Sequence, residues 1–515
     1  PPPTPANTTM VSSSAASDVY KRQPIDTAVA WTCINQGAGY SLMLRGKTSV
    51  RRLLVGLVLL IASGIVIAQT AAGHADPIAP VILGVTGILF FAVIGRFAAR
   101  NLNQPSVLGE LLMGILLGNL GYWLGIDFIE VLREGPAIFE MVDLTLSGEP
   151  LQQAAIDALG YEKAPAILAI LHGPGGAALT QIAHTVDVFS RYGVIFMLFL
   201  IGLETSLAEL KQVGPASLRV AGIGVAMPFI LGFAMARLLM PELSISVDLF
   251  VAATLGATSV GITARVLRDL GQSHTLEARV VLGAAVIDDI LGLVMLAIVS
   301  GIIVSGVFDP WSAATVVVLA SLFLIVAFAI GPMFLRSSIK MVRHLDIIEA
   351  KMFVSFLFVM ALAWFANLVG LATIVGAFAA GVILHDAYFH HWGKIDEHQF
   401  SIRDLIAPLE VILVPIFFVL MGVQVKLETF VDMHVVLMAG GLILAAIIGK
   451  VISGFGASRK TNRLAIGIGM MPRGEVGLVF ASIGKSLEVF SDELFSALVL
   501  MVIVTTVSYT HLRAH

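Results

Sequence analysis

The segment VLGAAVIDDILGLVMLAIVSGIIVSGVF, residues 281–308, decides the fold because it is long enough and apolar enough to cross a bilayer. Its only ionisable residues are two adjacent aspartates, Asp288 and Asp289. A carboxylate near the bilayer centre costs at least about 2.5 kcal/mol, so the pair indicates a functional site. Neighbours on a helix point about 100° apart, so these two side chains cannot share one proton. One can have a fixed partner while the other faces a water-filled cavity.

The composition of the 515-residue chain is also typical of a membrane protein. Hydrophobic residues make up 57% of the chain and charged residues 13%, and the mean hydropathy is +0.94. The net charge of -4 argues against a nucleic-acid partner. The single cysteine, Cys33, excludes an intrachain disulfide and a cysteine-cluster metal site.

Both ends of the chain contain segments that we interpret as foreign to the fold. Residues 13–23 (SSAASDVYKRQ) and 507–515 (VSYTHLRAH) match translated sequencing-adapter sequences, so we predict no fold for a leader over 1–42 or for this tail. Residues 43–75 combine a basic stretch, an apolar stretch and small residues, which predicts a signal peptide, with an additional membrane helix as the alternative. A cleaved chain would begin outside the membrane.

Thirteen hydrophobic segments follow in residues 76–506, which we interpret as the membrane domain. With an external start, Lys and Arg gather at the cytoplasmic ends, as the positive-inside rule requires. A polar insertion at 127–185 would be external, and we predict a variable loop with a short helix there. The thirteen segments lie at about 78–98, 106–124, 186–203, 217–239, 249–267, 279–299, 313–335, 353–369, 371–384, 406–423, 434–455, 464–483 and 494–506.

Two of these segments contain residues that can interrupt a helix. The fifth has Thr258 and Ser259 between Gly256 and Gly261, which favours either close helix packing or a break that lines an ion site. The twelfth is interrupted by the polar sequence PRGE at 472–475. Two interrupted helices in corresponding positions of two halves are typical of an inverted-repeat transporter with a midplane site.

Charged residues in the later segments are candidates for supporting such a site. Arg473 and Glu475 could neutralise each other, cap the half-helix ends or contact the ion. Lys450, alone in the eleventh segment, could extend its amine to the cytoplasmic surface. Because a buried aspartate needs a counter-charge, we predict instead that Lys450 pairs with Asp288.

Other titratable residues have weaker claims to a role in transport. Glu110 in the second segment and Glu204 at the end of the third are predicted to be structural caps or interface ligands. Three histidines between the ninth and tenth segments could sense pH, although a solvated amphipathic link is the default interpretation. They are His390, His391 and His398.

Seven motifs occur in a fixed order and spacing: LNQPSVLGELLMGILLGN, FLIGLET, ATSVGITARVL, LGAAVIDDILGLVML, PIFFVLMGV, IIGKV and GMMPRGEVGLVFA. Together they resemble the bacterial monovalent cation:proton antiporters, most of all the NapA-type Na+/H+ antiporters, over about residues 77–506 apart from the insertion. The resemblance implies an all-α polytopic membrane fold of about thirteen transmembrane helices, with inverted repeats and two crossing broken helices. It also implies a homodimer with a dimerisation domain and a mobile core.

The function implied by the resemblance is exchange of Na+, or Li+, for protons across the bacterial inner membrane, without a cofactor or enzymatic activity, by elevator-like alternating access. Asp289 would bind the cation and carry the proton, and Asp288 and Lys450 would form a pH-dependent ion pair. Thr258 and Ser259 would lie in the unwound crossover. A hard cation such as Na+ prefers oxygen ligands, so the cation and the proton would compete for one carboxylate. A second proton per cation would make transport electrogenic.

Three alternatives remain at this point. Kef-like relatives exchange K+ for protons with the same fold, although their twelfth segment is usually rich in Gln and Phe, unlike PRGEVGLV here. An intramembrane aspartyl protease needs aspartates on two facing helices, which adjacent residues do not provide. A receptor or scaffold would leave the buried Asp and Lys residues without a purpose.

Overall fold

The protein is described by a computed structural model that covers residues 76–511, apart from 77, 103, 174, 205–213, 270–271, 273–274, 305–309, 343 and 390–399. All regular structure in this part of the chain is helical. The α-helices are α1 (Ala79–Asn101), α2 (Ser106–Trp123), α3 (Asp127–Glu134), α4 (Pro136–Leu146), α5 (Leu151–Leu171), α6 (Gly176–Glu204), α7 (Pro215–Leu239), α8 (Ile245–Gly256), α9 (Val260–Asp269), α10 (Leu276–Val304), α11 (Pro310–Met341), α12 (Ile347–Leu368), α13 (Thr373–Ile383), α14 (Ile402–Val423), α15 (Met433–Ser453), α16 (Arg463–Gly469), α17 (Glu475–Ser486) and α18 (Asp492–His511).

Ten of the described helices are long and apolar enough to cross a membrane. They are α1, α2, α6, α7, α10, α11, α12, α14, α15 and α18. The three remaining predicted segments coincide with shorter helices: the consecutive pair α8 and α9, the single helix α13, and the consecutive pair α16 and α17. The prediction of a polytopic all-α fold is confirmed, whereas the count of thirteen spans stays a prediction.

The helices form two groups by their packing. The scaffold bundle comprises α1, α2, α6, α12, α13 and α14, and the core bundle comprises α7–α10 and α15–α18. Helix α11 packs against α10 of the core bundle and against α12 and α13 of the scaffold bundle. In the core bundle the order of a long helix, an interrupted helix and a long helix occurs twice, in α7–α10 and in α15–α18. This repetition is the one expected of an inverted repeat.

Glycines allow the scaffold helices to approach each other closely. A Cβ atom at Gly381 of α13 would lie 2.1 Å from the carbonyl oxygen of Phe199 in α6. A Cβ atom at Gly422 of α14 would lie 2.2 Å from the carbonyl oxygen of Leu111 in α2. Both distances are too short for any side chain, so backbone contact between these helices depends on glycine, as is common in membrane proteins.

The insertion at 127–185 differs from the prediction of a variable loop with a short helix. It forms three helices, α3 to α5, and the first turns of α6. Residues such as Val131, Ile138, Met141 and Ala164 are buried, and α3 to α5 pack against one another and against α6. Each of α3 and α4 is shorter than a membrane span and apolar on only part of its surface. A search for long apolar segments therefore misses them.

The tail also differs from its prediction. Helix α18 continues through the adapter-like residues to His511, and Tyr509 is buried. An existing helix is extended at little cost because each added residue gains one hydrogen bond, so the end of α18 takes up the sequence that follows. The predicted leader and signal peptide, His390, His391 and His398, and the side chain of Glu204 lie outside the described residues.

A contact between two carboxyl groups joins the insertion to the core bundle. Glu140 of α4 forms a hydrogen bond with Glu488, which follows α17 and has a positive φ of 55°. This hydrogen bond, together with desolvation and the negative charges of Glu488 and Asp143, raises the pKa of Glu140 from 4.5 to about 7. These three residues and Arg191 of α6 line a cavity of about 590 Å³.

We expect this contact to weaken as the pH rises. Because the pKa of Glu140 is raised in the folded protein, its stabilising contribution is fully present below pH 4.5 and is lost as the pH rises through about 7. Glu140→Gln keeps a hydrogen-bond donor and cannot ionise. We therefore expect its melting temperature to exceed that of the native protein more at about pH 8 than at about pH 5. A difference in melting temperature that stays constant over this range would contradict the assignment.

Candidate functional site

Two interrupted helices cross in the core bundle and bond to each other at their breaks. Helix α8 ends at Gly256, and the chain is extended until α9 begins, while residues 470–474 separate α16 from α17. The backbone N–H of Ser259 donates to the carbonyl oxygen of Pro472 at 2.9 Å. The Thr258 hydroxyl donates to the carbonyl oxygen of Met470 at 3.3 Å. The breaks leave some backbone groups without hydrogen bonds inside their own helix, and these two bonds across the crossing provide partners for them.

Serine and glycine bring the two breaks into direct contact. The Ser259 hydroxyl lies 3.1 Å from each carboxylate oxygen of Glu475. A Cβ atom at Gly474 would lie 2.8 Å from the Ser259 Oγ atom, so the approach requires a glycine at this position. Thr258, Ser259 and the 472–475 sequence, which were singled out as candidates, therefore lie together.

Arg473 and Glu475 are placed at the ends of half-helices. The fully buried guanidinium of Arg473 donates to the carbonyl oxygens of Leu255 and Ala257, the latter at 3.2 Å, where α8 ends. Glu475 lies in the first turn of α17. A helix has a partial negative charge at its C-terminus and a partial positive charge at its N-terminus, so both positions are electrostatically favourable. Of the three roles left open, these contacts favour capping.

Asp288 has a fixed partner. The amine of Lys450 in α15 donates to both carboxylate oxygens of Asp288 in α10, at 2.8 and 3.0 Å, and neither side chain is exposed to solvent. Helix α7 packs beside this pair at Gly224, where a Cβ atom would lie 3.6 Å from Asp288 Oδ1 and 3.7 Å from Lys450 Nζ. The structure thus brings together the two residues for which the sequence predicts an ion pair.

Asp289 differs from its neighbour in having an unused oxygen atom. Its side chain is buried, and Oδ1 accepts no hydrogen bond from any residue that the structure describes. The carboxylate interacts electrostatically with Asp288, Glu475 and Lys450. A buried carboxylate oxygen without a donor is costly unless a proton or a cation can occupy the space beside it. Asp289 is therefore the group at this crossing that has capacity for a ligand.

Glu110 does not lie at the crossing of the two interrupted helices, and two residues near the crossing were not predicted from the sequence. Glu110 of α2 pairs with Arg96 of α1 at 2.6 Å in the scaffold bundle. The hydroxyl of Thr506 in α18 donates to the carbonyl oxygen of Arg473, and Gly224 packs beside the ion pair. No signal in the hydropathy pattern distinguishes Thr506 or Gly224 from ordinary helix residues, because only the packing of separate helices places them here.

This fold and site define a class of protein. A helical membrane protein with two crossed helix breaks next to a buried, partly unpaired carboxylate is a secondary transporter of small cations. The family described as "Sodium/hydrogen exchanger, transmembrane" matches residues 158–512, and the chain belongs to this family. It is accordingly a multi-pass membrane protein that exchanges a cation for protons.

Individual relatives agree with this assignment. The high-affinity Na+/H+ antiporter NhaS3 of Synechocystis is 32% identical over 456 residues, which cover 85% of this chain and 91% of NhaS3. The Na+/H+-K+ antiporter GerN of Bacillus cereus is 31% identical over 347 residues, covering 66% and 85% of the two chains. The structure of the sodium proton antiporter MjNhaP1 from Methanocaldococcus jannaschii matches with a TM-score of 0.54 and 17% identity, over 85% of this chain and 97% of MjNhaP1. The last similarity supports the fold alone.

Proposed function

We propose that the exchanged cation is Na+ and that Asp289 is the group for which Na+ and protons compete. The observation that carries this proposal is the buried Oδ1 atom of Asp289, which has no donor in the described part of the chain although both oxygens of the adjacent Asp288 are bonded. Carboxylate, hydroxyl and carbonyl oxygens suit a hard cation, and the crossing supplies all three types. The proposal needs no cofactor and no covalent chemistry.

The charges at the crossing explain how one ion could replace the other. Asp288, Asp289 and Glu475 are three carboxylates, and Lys450 and Arg473 are two basic groups, so the set carries a net charge of -1 when all are ionised. One Na+ or one proton brings this charge to zero. A neutral site is less costly to move through an apolar environment than a charged one. Movement restricted to a site in which Asp289 holds a cation or a proton would make exchange obligatory.

The ion pair suggests a stoichiometry. If Lys450 releases its proton when the cation binds, a second proton is coupled to each cation and transport moves net charge. This behaviour would place the protein with the NapA-type antiporters, which the chain resembles in its adjacent aspartates and in the lysine of IIGKV. The ion pair at 2.8 Å supports the coupling, because protonation of either partner alters the other.

We further propose that the core bundle moves against the scaffold bundle in an elevator-like manner, within a homodimer in the bacterial inner membrane. Both interrupted helices and the Asp288–Lys450 pair belong to the core bundle, so the whole site could move as a unit. The scaffold bundle would supply the dimer contact. Its helix α1 has exposed apolar side chains, among them Ile82, Val93 and Phe97, which suit either lipid or a second copy.

The choice of cation is tested by transport in reconstituted vesicles that carry an internal pH indicator. We expect imposed gradients of Na+ or Li+ to move protons, and a K+ gradient of the same size to move far fewer. K+/H+ exchange is the second candidate, favoured by the similarity to GerN, whose name includes K+. Equal responses to K+ and Na+ would favour that candidate. No cation-dependent proton movement in any gradient would refute both.

A further inference from the structure

Five charged side chains form one network where the helical insertion meets both bundles. Lys426 Nζ lies 2.5 Å from Glu134 Oε1 and 2.8 Å from Asp492 Oδ2. Lys163 Nζ lies 2.6 Å from Asp492 Oδ2 and 3.2 Å from Glu134 Oε2, and Lys485 also pairs with Asp492. We call these five residues the external clasp, since the predicted orientation places them outside the membrane.

The external clasp connects three parts of the protein that are distant in sequence. Glu134 ends α3 and Lys163 lies in α5, so both belong to the insertion. Lys426 follows α14 of the scaffold bundle. Lys485 lies in the last turn of α17 and Asp492 begins α18, so both belong to the core bundle. Asp492 is the centre of the network because all three lysines contact it.

The environment of the external clasp makes its ion pairs stronger than those of an open surface. Lys426, Lys485 and Asp492 have side-chain exposures of 8%, 13% and 13%, whereas Lys163 is 46% exposed. Partly buried charges are screened less by salt than exposed ones, and a charge that loses its partner there is left poorly solvated. Separating the core bundle from Lys426 therefore has an energetic cost.

A second contact holds the same parts together. The carboxyl pair of Glu140 and Glu488 also joins the insertion to the segment that follows α17. In addition, the backbone N–H of Lys426 donates to the hydroxyl of Ser496 in α18 at 3.1 Å. The insertion and the segment after α14 thus contact the core bundle where α17 ends and α18 begins.

We propose that the insertion acts as a latch, in which the external clasp holds the core bundle against the scaffold bundle in the arrangement seen here and opens when the core bundle moves. The inference rests on the proposed function, because it assigns a regulatory role within the proposed movement. Displacement of α17 and α18 relative to α14 would separate Asp492 from Lys426, whereas the ion site itself contains none of the five residues. The latch would therefore set the rate of movement and leave cation affinity nearly unchanged.

The test measures the arrangement of the bundles directly. Spin labels are attached to cysteines introduced at Leu124, which is exposed at the end of α2 in the scaffold bundle, and at Glu493 of α18, with Cys33 replaced by serine. Distance distributions are recorded in vesicles for the native charges, for Lys426→Gln and for Lys163→Gln. We expect both variants to raise the population of a second distance about threefold or more, because each lost ion pair shifts the equilibrium by the free energy that it contributed. Transport should show a changed kcat with a Na+ KM within about twofold of the native value.

A matched control uses lysines outside the external clasp. Lys340→Gln and Lys460→Gln each remove one exposed lysine charge, and we expect both to leave the distance distribution unchanged. Unchanged distances in folded Lys426→Gln and Lys163→Gln protein would overturn the latch. If Lys426→Gln does not fold, the distances of Lys163→Gln decide the test. This variant is expected to fold because Lys426 and Lys485 still neutralise Glu134 and Asp492. The distance measurement does not depend on transport. If the native protein showed no exchange, the proposed function would be refuted, but the distances would still test the latch.

Discussion

Asp289→Asn is expected to reduce cation-coupled proton movement to the level of vesicles without protein. The amide has nearly the shape of the carboxylate, but it carries no charge and does not bind a proton near neutral pH. The site would then be neutral without a bound ion, so its movement would carry neither the cation nor the proton. The Oδ1 position, which has no donor among the described residues, would also lose its capacity to bind either ion. The measurement is the initial rate of proton movement after a Na+ gradient is imposed on reconstituted vesicles.

A matched control separates this loss from general damage to the protein. Asp157→Asn makes the same chemical change at an exposed position of α5, and we expect near-native exchange. Asp289→Asn protein should still be extracted in folded form with a melting temperature near or above the native value, since a buried charge without a donor has been removed. Exchange by Asp289→Asn protein at a rate close to the native one would show that the ions compete elsewhere.

Lys450→Gln is expected to have two large effects, one on stability and one on the charge moved per cation. Removing one partner of a fully buried ion pair leaves the other charge without compensation, which typically lowers the free energy of unfolding by about 3–5 kcal/mol. If the lysine supplies the second proton, transport by the variant should become electroneutral or nearly so. The measurement is the voltage at which flux reverses in vesicles with fixed Na+ and pH gradients.

A second variant distinguishes pairing from other roles of Lys450. The double change Asp288→Asn with Lys450→Gln removes both charges of the pair, so we expect it to recover much of the stability that Lys450→Gln loses. If the losses of stability in the two single variants simply added in the double variant, the pairing would not be the source of the effect. An unchanged reversal voltage in active Lys450→Gln protein would show that the lysine is structural and that proton coupling resides in the aspartates alone.

Much of the membrane fold could be predicted because lipid imposes strict rules on a sequence. A membrane span must form its backbone hydrogen bonds internally and must be apolar over about 20 residues, so length and hydropathy locate the helices. Thr258, Ser259 and the 472–475 sequence were recognisable for the same reason, since hydroxyls, glycine and proline in an apolar segment are unusual. The insertion was not predicted correctly, because α3 and α4 are shorter than a membrane span and obey no such rule.

The sequence by itself determined which residues are out of place in a membrane: Asp288 and Asp289 in α10 and Lys450 in α15. Their cost in an apolar environment is a property of each side chain and needs no knowledge of neighbours. Only the tertiary structure decided that Asp289 keeps an oxygen atom to which no described residue donates, and that Arg473 caps the end of α8. Such contacts join residues up to hundreds of positions apart, and they depend on how separate helices pack, which local sequence patterns do not encode.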